Sequence, residues 1–201
     1  ESLPPFPEKM IHAIVDGDWR NHTTTHHSAT HLLHEALREI LGTHVEQKGS
    51  LVNPEYLRFD FSHFAKVPTE DLHRIEQMVN ASIQANFPLL ENRSATIDEA
   101  KQSGAMMLFG EKYGERVRMI QFGSSIELCG GTHVPNTGAI KRFKIQSEGA
   151  VAAGIRRIEA IAGYVAEHWM EEELKQLEEV RETLKNKDAV KGVKDLQSKV
   201  H

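Results

Sequence analysis

Apolar residues recur at spacings of three and four through Ala29, Leu33, Ala36, Leu37 and Ile40, and Gly42 stands where a helix would stop. This pattern predicts a helix within residues 21–50. At 100° per residue those five positions share one face, while His27, His31, His34 and Arg38 fall on the opposite one. Such a helix anchors in a core by one face and presents imidazoles on the other. Residues 45–52 then read as a strand and Asn53-Pro54 as a turn. Leu57, Phe59 and Phe61 alternate with Arg58, Asp60 and Ser62, as in a strand buried on one face, and the two strands are expected to form a hairpin.

Pro68-Thr69 followed by Glu70 and Asp71 marks a second helix start. Leu72, Ile75, Val79 and Ile83 carry its apolar stripe until Pro88. Further strands are expected at 89–97, 116–122, 126–129, 139–147 and 154–161. Asp98 is placed to cap a short helix ending near Gly104. From Gly163 the composition shifts to Glu, Lys and Leu. Met170, Leu174, Leu177 and Leu184 support one amphipathic helix whose pattern fails at 185–188, so a sustained coiled coil is excluded. Pro4, Pro5 and Pro7 disfavour early helix, with a short one expected at 10–15. Helices alternating irregularly with hairpin-like strands predict an α+β domain, a mostly antiparallel sheet covered by helices.

Composition narrows the class. A chain of 201 residues with 39% hydrophobic and 26% charged residues suffices for one sizeable core or a domain with an appendage. No apolar run approaches membrane-spanning length, and no signal peptide is visible. A single cysteine excludes an internal disulfide framework and fits a reducing, cytoplasmic setting. The opening Glu1 suggests a piece of a longer protein. A formal charge of −5 argues against a generally basic nucleic-acid binder, so phosphate contacts are expected from local groups. The candidates are Lys141, Arg142, Lys144, Arg156 and Arg157, with Lys112 in a GEKYG turn.

The sharpest chemistry lies in the histidines. His27 and His31 are four apart and project from one side of a helix. Cys129-Gly-Gly-Thr-His133 brings a thiol and an imidazole onto one turn. Together these four make a three-nitrogen, one-sulfur set that suits zinc, one ion per chain. His22 and His26 offer a competing pair at the same spacing, and Cys129 also has the chemistry of a base.

HSATHLL, GTHVEQKGS, LRFDFSH and CGGTH resemble the editing domain of alanyl-tRNA synthetase. The resemblance runs over residues 21–163 without a long gap, and free-standing alanyl-tRNA editing proteins share the histidine and cysteine motifs. It implies His27, His31, Cys129 and His133 as zinc ligands and Gln47 with Cys129 in the active site. It also implies a central sheet flanked by helices with zinc in a cleft. Residues 1–20 would then be a lead-in, and 164–201 a helical extension towards a further C-terminal domain. The implied activity is hydrolysis of tRNA(Ala) mischarged with serine or glycine, and the implied partners are its acceptor end and the rest of the synthetase. An alanine pocket cannot bar glycine and discriminates serine by only about 10- to 200-fold, so a second hydrolytic site is needed. The threonyl-tRNA synthetase editing domain also pairs two helical histidines with a Cys-x3-His, but CGGTH and LRFDFSH point to alanine. A zinc-stapled tRNA-binding module without hydrolysis is the non-enzymatic alternative. The metalloprotease motif HExxH is absent.

Overall fold

A computed structural model describes residues 12–107 and 113–200. Helix α1 (Gly17–Leu41) starts ahead of the predicted stretch because the Asp16 carboxylate accepts the Trp19 N–H at 3.0 Å and caps it. It ends at Gly42, whose φ of 115° lies outside the range a side chain tolerates. Of the short helix expected at 10–15, residues 10 and 11 lie outside the described residues, and 12–15 carry no regular structure.

Strands β1 (Gln47–Val52) and β2 (Leu57–Ser62) form the expected hairpin. Helix α2 (Thr69–Gln84) follows, then β3 (Leu90–Thr96), α3 (Ile97–Gln102), β4 (Arg116–Phe122) and β5 (Ser125–Leu128). After a 3₁₀ turn at Thr137–Ile140 come β6 (Phe143–Ala152), β7 (Ile155–Ala162), α4 (Tyr164–Leu184) and α5 (Ala189–Val200). All strand pairs within the sheets are antiparallel, but the strands form two sheets where one was expected. One has the order β1-β2-β7-β6 and the other β3-β4-β5.

The physical reason for two sheets lies in α1. Its apolar face packs with Phe59, Phe61, Val79 and Ile158 in the main core. Its histidine face is covered as well, by β5 and the loop after it, so His31 and His34 are only 4% and 3% exposed. A helix needing cover on both sides draws one sheet to each. Helix α2 lies beside α1, and Asn80 exchanges two hydrogen bonds with the backbone of Phe143 (2.9 and 3.1 Å), satisfying part of the β6 edge. A small second core of Ala95, Ala100, Val117 and Leu128 sits under the three-stranded sheet.

Three local expectations are corrected. The cap of α3 is Thr96, not Asp98: its hydroxyl accepts the Glu99 N–H at 3.2 Å while Glu99 accepts the Thr96 N–H at 2.7 Å. The strand expected from 139 begins at Phe143, because Asn136 caps the 3₁₀ turn and Lys141 at φ 65° reverses the chain. The C-terminal region is two helices, separated by Lys185 in the left-handed conformation (φ 49°).

Candidate metal centre

Side-chain atoms of His27, His31, Cys129 and His133 lie within 4.8 Å of one another. Two helical residues one turn apart meet the turn that follows β5. The loop is brought close by Gly131, since a Cβ there would run into the His27 ring. Gly130 meets no such neighbour, so only the second of the two glycines is required by space. Arg118 on β4 fastens the loop from behind, donating to the carbonyls of Cys129 (2.9 Å) and Gly131 (2.5 Å) while ion-paired with Glu91.

The hydrogen bonds fix which nitrogens face inward. The Ser28 hydroxyl spends its proton on the Thr24 carbonyl at 3.0 Å, so towards His133 Nδ1, 3.2 Å away, it can only accept. His133 therefore carries its proton on Nδ1, and Nε2 presents a lone pair. His27 Nδ1 likewise donates to the Thr132 carbonyl at 3.2 Å. Both Nε2 atoms stand 3.3 Å from Cys129 Sγ. Zinc–sulfur bonds of about 2.3 Å and zinc–nitrogen bonds of about 2.0–2.1 Å in a tetrahedron would separate nitrogen from sulfur by about 3.6 Å. The donor set thus fits a zinc-sized cation after a shift of a few tenths of an ångström.

Electrostatics point the same way. Burial, then the neighbouring His31, lowers His27 to about 4, against the opposing Thr132 carbonyl. Burial with His31 and His27 lowers His133 to about 2, and burial also lowers His31. His27 and His133 are consequently neutral and ready to ligate. Burial pushes the Cys129 thiol up, opposed by the Gly131 N–H, so its ionisation belongs with capture of a cation. Burial pushes Glu127 up, but His31 and His34 outweigh it and hold the carboxyl below its usual range. Glu127 Oε1 is 3.0 Å from His34 Nδ1, and Oε2 is 3.6 Å from His31 Nε2.

The cluster opens into a cavity of about 350 Å³, at the small end for ligand sites, which suits an amino acid ester better than a stacked base pair. Gln47 lines it beside His31, Thr30, Ser50 and Cys129. The competing histidines diverge. His26 is buried with Nδ1 2.9 Å from the Asn53 carbonyl, and His22 stacks on Tyr164.

The basic candidates among the described residues do not line this cavity. Lys141 pairs with Glu167 (2.9 Å), Lys144 with Glu76 (3.1 Å), Arg156 with Glu148 (2.6 Å) and Arg157 with Asp60 (2.6 and 2.7 Å). Arg142 is exposed, and Lys112 lies outside the described residues. Sequence reasoning passed over Glu127, Ser28 and Arg118. Position 127 lies on β5, two before Cys129 on the turn that follows, and was findable by asking what carboxylate orients a ligating histidine.

Residues 117–159 match the family described as the threonyl and alanyl tRNA synthetase second additional domain. An alanine–tRNA ligase of Flavobacterium psychrophilum is 57% identical over 198 residues, covering 98% of this chain and 22% of the relative. That of Bacteroides fragilis is 60% identical over 171 residues, 85% of the chain and 20% of the relative. That of Porphyromonas gingivalis is 49% identical over 197 residues, with 98% and 22% covered. The chain spans about a fifth of the length of the curated relatives it matches.

Proposed function

We propose that this chain, being an alanyl-tRNA synthetase editing-domain region, hydrolyses the ester linking serine or glycine to tRNA(Ala). The observation that carries this reading is the meeting of His27, His31, Cys129 and the Gln47 amide at one small cavity, with His133 completing the donor cluster. His27, His31, Cys129 and His133 would hold zinc, which would supply a fixed positive charge that orients the substrate when bound. Four protein donors complete a tetrahedron, so the chain's own side chains must position the attacking water.

Gln47 suits that duty because its amide both donates and accepts, to a water or to a serine hydroxyl. Cys129 serves as a ligand, its ionisation following the cation. Neutral Nε2 lone pairs on His27 and His133 face the thiol because their Nδ1 protons are committed to Thr132 and Ser28. The acceptor end of tRNA would enter from the open side of the cavity, with the rest of the synthetase chain supplying further contacts in the cytoplasm. Arg142 and Lys112 are candidates for phosphate contact, along with Lys141, Lys144, Arg156 and Arg157 if those release their acidic partners.

The test is release of serine from Ser-tRNA(Ala) by zinc-loaded chain, at low salt to favour tRNA binding. Serine should leave faster than alanine from the same tRNA. Gln47→Ala should slow release about 10- to 100-fold with zinc content unchanged. Release no faster than in buffer would leave a zinc-stapled tRNA-binding module. Preferential release from Ser-tRNA(Thr) would mark a threonyl-type editing domain.

A further inference from the structure

The cavity beside the ligand cluster has a cation of its own. Among the described residues, Arg38 is the one lysine or arginine that lines it. It is half-buried on α1, seven residues beyond His31. Seven residues are two turns, so Arg38 shares the face of His31 and lies about 10 Å further along the helix axis. The chain leaving the helix holds it there. Nη1 donates to the carbonyls of Thr43 at 2.8 Å and Val45 at 2.7 Å.

Two bonds through one nitrogen fix the planar guanidinium and leave its other edge open. Nε and Nη2 carry no hydrogen bond among the described residues, and Arg38 joins no ion pair among them. The other basic groups near the sheets differ, since Lys141, Lys144, Arg156 and Arg157 each have a carboxylate. The acids that line the cavity are engaged elsewhere: Glu46 with Lys48 at 2.8 Å, and Glu127 with His34 at 3.0 Å. Glu35 and Glu39 line an adjoining cavity that also reaches Arg38, so an anion would meet Arg38 from the side of the ligand cluster.

An open pair of N–H groups on a fixed guanidinium suits two oxygens of a phosphate. The ester in the proposed reaction sits on the ribose of the terminal nucleotide, and that ribose also bears a 5′-phosphate. With the ester at the ligand cluster, the phosphate lies one sugar away, and burying its charge without a partner would be costly. The two turns between His31 and Arg38 leave room for that sugar. We propose that the Nε–Nη2 edge of Arg38 binds the 5′-phosphate of the terminal nucleotide while its ester lies at the ligand cluster. The proposal rests on the deacylase reading above and makes Arg38 a substrate-binding residue.

The experiment compares two small esters on zinc-loaded chain, 3′-seryl adenosine with and without a 5′-phosphate. The phosphorylated ester should be cleaved with kcat/KM about 10- to 100-fold higher, the gain lying in KM. In Arg38→Gln that preference should vanish, whatever the absolute rates, so a general loss of activity cannot imitate the result. Equal turnover of the two esters by the unaltered chain, or a preference kept in Arg38→Gln, overturns the proposal. If Arg38→Gln does not fold, the NMR resonance of the Arg38 Nε–H in the unaltered chain decides. It should shift on titration with adenosine 5′-monophosphate and stay in place with adenosine. A resonance unmoved by the monophosphate, or moved equally by adenosine, overturns the assignment. If the unaltered chain cleaves neither ester, the deacylase reading falls, and the same titration still decides whether Arg38 holds a nucleotide phosphate.

Discussion

The ring of His27 lies against the α-carbon of Gly131, where any side chain would collide with it. The close approach lets the turn after β5 carry Cys129 Sγ to 3.3 Å from His27 Nε2. Gly131→Ala should therefore push loop and helix apart at the ligand cluster. Zinc affinity should fall at least about tenfold, since outer-contact changes around such sites cost about 10–100-fold. Competition with a chromophoric chelator checks this, and Gly130→Ala, with open space around it, should bind as the unaltered chain does.

Ser28 is fully buried and serves both sides of the site, accepting from His133 Nδ1 and from the Val134 N–H at 3.1 Å. Ser28→Ala leaves both donors without that acceptor. The cost should be about 1–3 kcal/mol per unsatisfied buried donor, visible as a lower urea midpoint. His133 would also lose the contact that fixes its tautomer, so zinc affinity should drop with stability. Unchanged affinity in a folded Ser28→Ala would mean another group orients the ring.

What was legible in the sequence was what is local. Helix periodicity places His27 and His31 on one side of one turn, and a short loop links Cys129 to His133. Tertiary choices were not legible. Arg157 and Lys144 look like free surface cations in the sequence, but Asp60 is 97 positions from the first and Glu76 is 68 from the second. The wheel of α1 set His34 on a presented face, whereas the second sheet covers that face and gives it Glu127. Period-two reading of β1 would set Lys48 opposite Phe61, where Gln47 stands, because the bulge between 47 and 49 depends on the partner strand and leaves no mark of its own. Even the cap of α3 turned on whether Thr96 or Asp98 met the first free N–H groups.

Arg118 ties the ligand-bearing loop to β4 through the carbonyls of Cys129 and Gly131. Lysine cannot reproduce a guanidinium that serves two carbonyls and Glu91 together. Arg118→Lys and Arg118→Gln should both keep the fold, as the residue is on the strand's partly exposed side, and both should speed zinc loss to chelator by about tenfold or more. A release rate equal to that of the unaltered chain would show that Gly131 packing alone suffices to place the loop.

The last prediction concerns acid. His26 lies buried between α1 and the β1–β2 turn, with Nδ1 2.9 Å from the Asn53 carbonyl and Nε2 without a partner among the described residues. Burial, with a smaller push from His22 and against the Asn53 carbonyl, lowers it from 6.5 to about 4. The folded state thus holds His26 neutral where the unfolded chain would protonate it. The unfolded state binds the extra proton between these values, so stability is fully present above pH 6.5 and declines as pH falls towards 4. The slope from this one group is at most about 1.4 kcal/mol per pH unit. His26→Asn can still direct an amide N–H at Asn53 without titrating, though it leaves some space behind. Urea unfolding at half-unit steps from pH 7.5 to 4.5 should give a shallower decline for His26→Asn than for the unaltered chain, whatever their stabilities at pH 7.5. Parallel declines would mean that His26 is not the group whose protonation opens the turn.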